Sequence, residues 1–194
     1  MEDSRRRGRR VLLILAAMFL LPVAVAFTLY YGQLWRPAGS ASHGELISPA
    51  RPLTVTGLRS ADGTPVAGDV LQGKWTLIYI GDGACDEACK QSLVFGRQSR
   101  LALNNEMKRV QRVLLATGNC CATDYFAAEH PGLVALDASA PEAQALLAQF
   151  PAARANSLFI VDPLGNLMMR HDASQANKGL LSDLKKLLKL SHIG

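Results

Sequence analysis

Two cysteines four positions apart, Cys85 and Cys89, are the residues of this 194-residue chain best suited to chemistry. They lie in "IGDGACDEACK", directly after an apolar run. Two thiols at this spacing can close a disulfide, exchange it with a partner, or jointly hold a soft metal ion. The nearby acids Asp82, Asp86 and Glu87 would raise the thiol pKa values and attract a cation. A plain structural disulfide is the alternative, because an even number of cysteines also suits a structural framework.

Cys120 and Cys121 form a second, adjacent pair after "VLLATGN". We expect at least one of them to lie within reach of Cys85 or Cys89, because both pairs follow apolar runs that predict strands. There the second pair would relay a disulfide or complete a site of three or four sulfurs. Ring strain disfavours a disulfide between adjacent cysteines. Two loop cysteines without a shared role are the alternative.

Apolar runs predict the strands that must position these cysteines. Lys74–Ile80, Val110–Thr117 and Leu133–Asp137 are predicted as buried strands, and a helix is predicted from Asp86 onward. Functional loops of parallel strands gather at the carboxyl ends of the strands. Because the helix is predicted to begin at Asp86, Cys85 would lie near its N-terminus, where a thiolate is favoured. The order strand, helix, strand, helix, hairpin, helix is that of an α/β, thioredoxin-like domain.

The remaining segments complete this fold. Residues 53–66 predict a hairpin with an Asp62-Gly63 turn, and a second hairpin turns at residues 163–165. Ser139 and Glu142 form a capping box that would open a helix. The last helix carries an apolar stripe that would pack on the sheet, formed by Leu180, Leu181, Leu184, Leu187 and Leu188.

An uncharged run of 21 residues, Val11–Tyr31, is long enough for a single transmembrane helix. Five arginines precede it, which predicts a cytoplasmic N-terminus and an exported domain, and aromatic residues cluster at its far end. A cleaved signal peptide ending at "AVA" before Phe27 is the alternative. The predicted organisation is a basic tail at 1–10, a transmembrane helix at 11–31, a tether at 32–52 and the thioredoxin-like domain at 53–194.

Composition excludes two broad classes of protein. Hydrophobic residues make up 49% of the chain and charged residues 19%, which is unlike a disordered protein. The net charge of +5 comes mostly from the first ten residues, and no basic stripe interleaved with aromatics follows. Nucleic acid is therefore not an expected partner.

The motifs "GKWTLIYIGDGACDEACKQSL", "VQRVLLAT" and "SLFIVDPLGNL" resemble the Sco/SenC family of cytochrome c oxidase assembly proteins. The resemblance implies a membrane-tethered thioredoxin-like domain in the periplasm, anchored in the bacterial inner membrane. It implies Cu(I) binding at Cys85 and Cys89, and partners among the copper-binding subunit of the oxidase and other assembly factors. The chain departs from the family pattern at residues 154–157, "RANS", where the copper-ligand histidine is missing.

Other residues are candidates for the third copper ligand. In the predicted hairpin Ser157 lies opposite Arg170, which would bring His171 towards the cysteine edge. Imidazole and thioether groups are both suitable ligands for Cu(I). His130, in "AEHPG", is an equal candidate on a loop. The weaker candidates are His43, His192, Met168 and Met169.

Three functions are compatible with these residues. The first is a factor that assists cytochrome c oxidase assembly by copper handling or thiol–disulfide reduction through Cys85 and Cys89. The second is a general exported thiol–disulfide oxidoreductase, with Cys85 as nucleophile and Cys89 as resolving thiol. The third is a redox-inactive interaction module of the oxidase assembly machinery.

Overall fold

The computed structural model describes residues 2–32, 42–151, 156–174, 178–191 and 193–194. The chain divides into two compact units, Met1–Ala41 and Ser42–Gly194. The first unit contains the helix α1 (Glu2–Tyr31), whose apolar side chains are exposed. Its segment Arg6–Tyr31 is long and apolar enough to cross a membrane and is a candidate transmembrane span.

The second unit is a seven-stranded mixed sheet with helices packed against it. The strands are β1 (Glu45–Pro52), β2 (Arg59–Ser60), β3 (Trp75–Gly81), β4 (Val110–Ala116), β5 (Leu133–Asp137), β6 (Ser157–Val161) and β7 (Asn166–Asp172). The helices are α2 (Glu87–Leu101), α3 (Thr123–Glu129), α4 (Gln144–Leu147) and α5 (Gly179–Leu190). The spatial order is β1-β7-β6-β3-β4-β5-β2.

The three strands predicted from apolar runs, β3, β4 and β5, are present and pair in parallel. β3 and β4 are buried as predicted, whereas in β5 only Leu136 is buried. Gly81, the last residue of β3, is in register with Ala116, the last residue of β4. The loops that carry the two cysteine pairs therefore leave the sheet side by side at one edge. The thioredoxin-like fold class is confirmed by this arrangement.

Apolar side chains cover both faces of the sheet. One face packs against α2, α3 and α5 through residues such as Leu77, Leu93 and Leu184. The opposite face packs against α4 and the segment before β3 through residues such as Phe159 and Leu146. The predicted leucine stripe of the last helix is thus confirmed as a core face, since Leu180, Leu184 and Leu188 are buried.

The predicted tether is wrong for Glu45–Pro52, which forms β1 and pairs antiparallel with β7. The globular unit consequently begins at Ser42 rather than at residue 53. The strand was hidden by its composition, because β1 is an exposed edge strand. Prolines such as Pro49 are tolerated there, since an edge strand needs fewer backbone donors. Residues 33–41 of the predicted tether lie outside the described residues.

The predicted capping box at Ser139 is also wrong. The backbone N–H of Ser139 donates to Asp137 Oδ1 at 2.8 Å, and Ala140 is extended. Pro141 explains this, because a residue that precedes proline is disfavoured in the helical conformation. A short 3₁₀ turn, Pro141–Ala143, and the single turn of α4 replace the longer predicted helix.

Both predicted turns are present, with one difference in register. Gly63 and Gly165 adopt the left-handed backbone that their turns require. In the late hairpin, however, Ser157 pairs with Asp172 and not with Arg170. A bulge between Ile160 and Val161 shifts the pairing and accounts for part of the difference.

Candidate functional site

The loop between β3 and α2 presents Cys85, and the first turn of α2 presents Cys89, at the carboxyl edge of the sheet. Asp86 is the N-cap of α2, and its Oδ1 accepts the backbone N–H of Cys89 at 2.9 Å. Cys85 precedes this cap with φ at +55°, a left-handed backbone that is uncommon for a residue other than glycine. The cap and this turn direct both cysteines towards the same end of the helix.

Cys85 and Cys89 are joined as a disulfide, with their Cα atoms 5.1 Å apart. Both belong to the core cluster on the α2 face, and their exposed fractions are 2% and 1%. Tyr79 of β3 and Phe126 of α3 belong to the same cluster. The oxidised pair is therefore almost completely shielded from bulk solvent.

Acidic residues of this loop make structural hydrogen bonds. Asp82 Oδ1 accepts the backbone N–H of Ala84 at 2.8 Å, and its Oδ2 accepts the side-chain amide of Asn119 at 2.8 Å. Asp82 thus connects the first cysteine loop to the second. Burial raises the pKa of the Tyr79 phenol, and the charge of Asp86 raises it further.

The second cysteine loop packs directly on the first. Gly83 N donates to Gly118 O at 2.8 Å, and Ala122 N donates to Gly83 O at 3.0 Å. Cys120 and Cys121 lie between these bonds, are half-buried, and are joined to each other. The pair thus adopts the vicinal form that the sequence analysis disfavoured, in the tight turn between Asn119 and α3.

Replacement of Gly83 by alanine is expected to separate the two loops. A Cβ at position 83 would lie 2.7 Å from both Asn119 O and Cys120 Cα, and these backbone atoms cannot rotate away. We expect the free energy of unfolding to fall by about 1–3 kcal/mol, measured by urea denaturation. Gly118→Ala is the matched control on the same loop, because its Cβ would meet Asp82 Oδ2 at 3.4 Å. Equal stability of the two variants would contradict the expected close contact.

His171 lies on β7, separated from β3 by β6, and its side chain is engaged elsewhere. It pairs with Leu158 and is 5% exposed. Its Nε2 lies 3.1 Å from Met169 Sδ and 3.3 Å from Asp183 Oδ2 on α5. These contacts of His171 are with Met169 and Asp183, and its role as a third copper ligand remains a prediction.

The other candidate ligands have different surroundings. His130 is buried, and its Nε2 lies 3.2 Å from the Tyr125 hydroxyl. His43 is half-exposed, with Nδ1 3.3 Å from Asp183 Oδ1. Met168 packs at the margin of the core, and His192 lies outside the described residues. Among the described residues, no three His, Cys, Asp or Glu side chains are arranged to hold a metal ion.

The two buried histidines are expected to make the domain sensitive to acid. Burial lowers the pKa of His171, and the attraction of Asp183 offsets only part of that effect. Burial, together with Arg112 and Arg97, lowers the pKa of His130. The unfolded chain therefore binds more protons below its ordinary histidine pKa of about 6.5, so the free energy of unfolding should fall as the pH drops through that value.

Urea denaturation at pH 8, 7, 6 and 5 would measure this dependence on pH. The double variant His130→Gln/His171→Gln should show a flatter profile than the wild type. An identical profile in both proteins would contradict the assignment to these histidines.

Asp183 of α5 was not identified from the sequence, although it contacts His43, Gly44 and His171. This carboxylate is 1% exposed and accepts the backbone N–H groups of His43 at 2.7 Å and Gly44 at 2.9 Å. A signal was present, because Asp183 lies on the apolar stripe, three residues after Leu180. A charged residue at such a position is buried and needs partners. The Asp82–Asn119 link gave no comparable signal in the sequence.

Several solved structures share this fold. The apo Sco1 protein from Thermus thermophilus is 21% identical over 77% of this chain and 99% of its own, with a TM-score of 0.63. Yeast Sco1 with copper bound is 16% identical over 79% of this chain and 96% of its own, with a TM-score of 0.61. BsSco, a member of the Sco family of cytochrome c oxidase assembly proteins with a disulfide switch, is 16% identical over 75% and 96%, with a TM-score of 0.56.

Sequence comparison gives a family as well as a fold. A search of curated protein sequences found no significant match. The family model described as transmembrane-like, thioredoxin-like, C-terminal domain matches residues 75–191, which include both cysteine pairs and most of the sheet. The chain therefore belongs to this transmembrane-like, thioredoxin-like family, and its fold is that of the Sco proteins.

Proposed function

We propose that this chain is a membrane-anchored thiol–disulfide factor that assists cytochrome c oxidase assembly through Cys85 and Cys89. The observation that carries the proposal is the closed Cys85–Cys89 disulfide at the N-terminus of α2, beyond the carboxyl end of β3. A thiol pair at this position can alternate between dithiol and disulfide. The shared fold of Sco proteins, one of them described with a disulfide switch, supports the same chemistry.

The reaction follows ordinary thiol–disulfide exchange. The Cys85 thiolate attacks one sulfur of a substrate disulfide and forms a mixed disulfide, while the other substrate sulfur leaves as a thiolate and takes up a proton. Cys89 then loses its proton and attacks Cys85, which closes the Cys85–Cys89 bond and releases the second substrate thiol. Two electrons pass from this chain to the substrate.

The backbone around α2 supports the role of Cys85 as nucleophile. The N–H of Cys89 is already bonded to the Asp86 carboxylate, whereas the other N–H groups of the first turn favour negative charge at the helix start. A reduced Cys85 would lie beside that turn. The neighbouring carboxylates of Asp82 and Asp86 accept hydrogen bonds from backbone N–H groups. Asp82 also accepts one from a side-chain amide.

Copper would be cargo for this site. Two thiolates suit Cu(I), so the reduced pair can hold the ion with two sulfur ligands. The contacts of His171 with Met169 and Asp183 favour this two-sulfur form over one completed by the histidine. The donor set therefore fits Cu(I) transfer, and it fits thiol–disulfide reduction without any further residue.

Anchoring would serve this function by raising the local concentration near a membrane-bound substrate. In the proposed orientation, α1 spans the bacterial inner membrane with its arginine-rich end in the cytoplasm. The thioredoxin-like domain then lies in the periplasm, facing the copper-binding subunit of the oxidase. The lipid of the membrane is the second partner of the chain.

The test uses the reduced full-length protein in detergent micelles and the disulfide-oxidised copper-binding subunit of the oxidase from the same organism. Alkylation followed by mass spectrometry would count the thiols that appear on the subunit. The two forms of the chain that are compared both carry Cys120→Ala/Cys121→Ala, so that Cys85 and Cys89 supply all the thiols of the chain. We expect stoichiometric reduction when Cys85 and Cys89 are present and none when Cys85→Ser/Cys89→Ser is added. Failure of the form with Cys85 and Cys89 to reduce the subunit would contradict the thiol branch of the proposal.

Copper binding is a separate prediction of the same site. We expect the reduced full-length protein carrying Cys120→Ala/Cys121→Ala to retain about one Cu(I) per chain in competition with a chelator, because Cys85 and Cys89 supply two thiolates. Addition of Cys85→Ser/Cys89→Ser should abolish binding, and addition of His171→Gln should leave it unchanged. Loss of Cu(I) in His171→Gln would contradict the two-sulfur form.

A further inference from the structure

The half-buried pair Cys120–Cys121 lies against the loop of the fully buried pair Cys85–Cys89. We propose that Cys120–Cys121 is a relay that carries electrons from an external dithiol to Cys85–Cys89. This inference rests on the proposed function, since it supplies the reduced form of Cys85 and Cys89. The external donor is a protein or small molecule with two thiols.

The contact between the two loops is the first support for the relay. They are joined by the bonds Gly83 N to Gly118 O at 2.8 Å, Ala122 N to Gly83 O at 3.0 Å, and Asn119 Nδ2 to Asp82 Oδ2 at 2.8 Å. The position of a Cβ at Gly83 is 2.7 Å from Cys120 Cα. The two cysteine loops are therefore in direct backbone contact, with Cys85 two residues from Gly83.

Burial is the second support, because it separates the roles of the two pairs. Cys85 and Cys89 are at most 2% exposed, so an external thiolate cannot reach their sulfurs without opening the loop. Cys120 and Cys121 keep part of their surface in solvent. Attack on a disulfide requires access to one of its sulfurs, so the exposed pair is the accessible entry point at this edge.

The packing of Cys121 assigns the individual steps. Cys121 packs against the core cluster that contains Cys85 and Cys89, whereas Cys120 is absent from the described members of that cluster. We accordingly assign Cys121 as the thiol that attacks the buried pair. Cys120 is accordingly the thiol that resolves the mixed disulfide.

The relay is balanced in electrons and protons. The external dithiol reduces Cys120–Cys121 to two thiols and becomes a disulfide. The Cys121 thiolate attacks one sulfur of Cys85–Cys89, and the other sulfur leaves as a thiolate that takes up the proton. Cys120 then attacks Cys121, restoring the Cys120–Cys121 bond and releasing the last thiol of the buried pair. The net result is one external disulfide and one Cys85/Cys89 dithiol.

Thiol trapping on the oxidised full-length protein in detergent micelles tests the relay, with dithiothreitol as the external dithiol. Samples are quenched with acid, alkylated, proteolysed and analysed by mass spectrometry at each cysteine. We expect thiols at Cys120 and Cys121 before thiols at Cys85 and Cys89. Cys120→Ala/Cys121→Ala should slow reduction of Cys85–Cys89 by about tenfold or more.

An equal rate in the double variant and the wild type would overturn the relay. Unfolding of the variant cannot imitate the expected result, because an unfolded chain exposes Cys85–Cys89 and would be reduced faster. If the double variant unfolds, the single variant Cys120→Ala tests the relay instead. This variant should accumulate a mixed disulfide between Cys121 and one cysteine of the buried pair without any added reductant. Absence of that mixed disulfide would overturn the proposal.

The two proposals fail separately. If the relay fails while chemically reduced Cys85 and Cys89 still reduce the oxidase subunit, the proposed function stands and another route supplies the electrons. If Cys85→Ser/Cys89→Ser leaves reduction of the subunit unchanged, the proposed function fails. The relay would still be detectable by trapping in the wild-type chain.

Discussion

A strain that produces Cys85→Ser/Cys89→Ser in place of the wild-type protein is expected to have the cytochrome c oxidase activity of a strain lacking the protein. A serine hydroxyl neither forms a disulfide nor binds Cu(I) as a thiolate does. This substitution should therefore abolish both thiol–disulfide reduction and copper handling. Oxidase turnover in isolated membranes, with cytochrome c as the electron donor, is the measurement.

The amount of the variant in the membrane is the necessary control. The Cys85–Cys89 bond closes a short loop, so we expect the core around Leu77, Leu114 and Leu184 to form without the bond. Wild-type oxidase activity at equal amounts of protein would contradict the proposal. That outcome would instead favour an interaction module whose cysteines have no chemical role.

Replacement of Asp183 by alanine is expected to lower the free energy of unfolding by about 3 kcal/mol. The carboxylate accepts the N–H groups of His43 and Gly44 and faces the buried His171 ring. Alanine would leave these donors without an acceptor at a position that is 1% exposed. It would also release the first residues of the globular unit from α5. Urea denaturation followed by near-ultraviolet circular dichroism is the measurement.

The matched control is Asp183→Asn, which keeps a carbonyl acceptor of similar size and should cost less than alanine. Burial raises the pKa of Asp183, but the hydrogen bonds from Gly44 and His43 outweigh it and hold the pKa below its ordinary value. The stabilisation by the charged carboxylate is therefore present above the ordinary pKa of about 3.9 and is lost as the pH falls through the lower folded value. A loss below about 0.5 kcal/mol in Asp183→Ala would contradict this account, because surface substitutions cost that much.

The strands that position the site could be predicted because they are buried on both faces. Trp75–Gly81 is almost continuously apolar, and Val110–Ala116 is apolar apart from Gln111 and Arg112. Such runs are typical of parallel strands covered by helices. Their common direction then brings the following loops to one edge. That is why the neighbourhood of Cys85 and Cys120 could be anticipated from the sequence.

The features that could not be predicted depend on long-range contacts. Glu45–Pro52 has the composition of a linker, and it becomes a strand through its pairing with Asn166–Asp172. His171 was expected near the cysteines, but the bulge at Ile160 changes the register of its strand. Its side chain contacts Asp183 of α5. The sequence pattern does not indicate which residues of β7 and α5 come into contact.

The central claim is that Cys85 and Cys89 cycle between disulfide and dithiol in the cell. Acid quenching of growing cells, followed by differential alkylation and mass spectrometry of the full-length protein, measures both forms directly. We expect both forms to be present, with a larger dithiol fraction in a strain that lacks the copper-binding subunit of the oxidase, since that substrate would consume the dithiol. A pair that is entirely oxidised in both strains would contradict the claim.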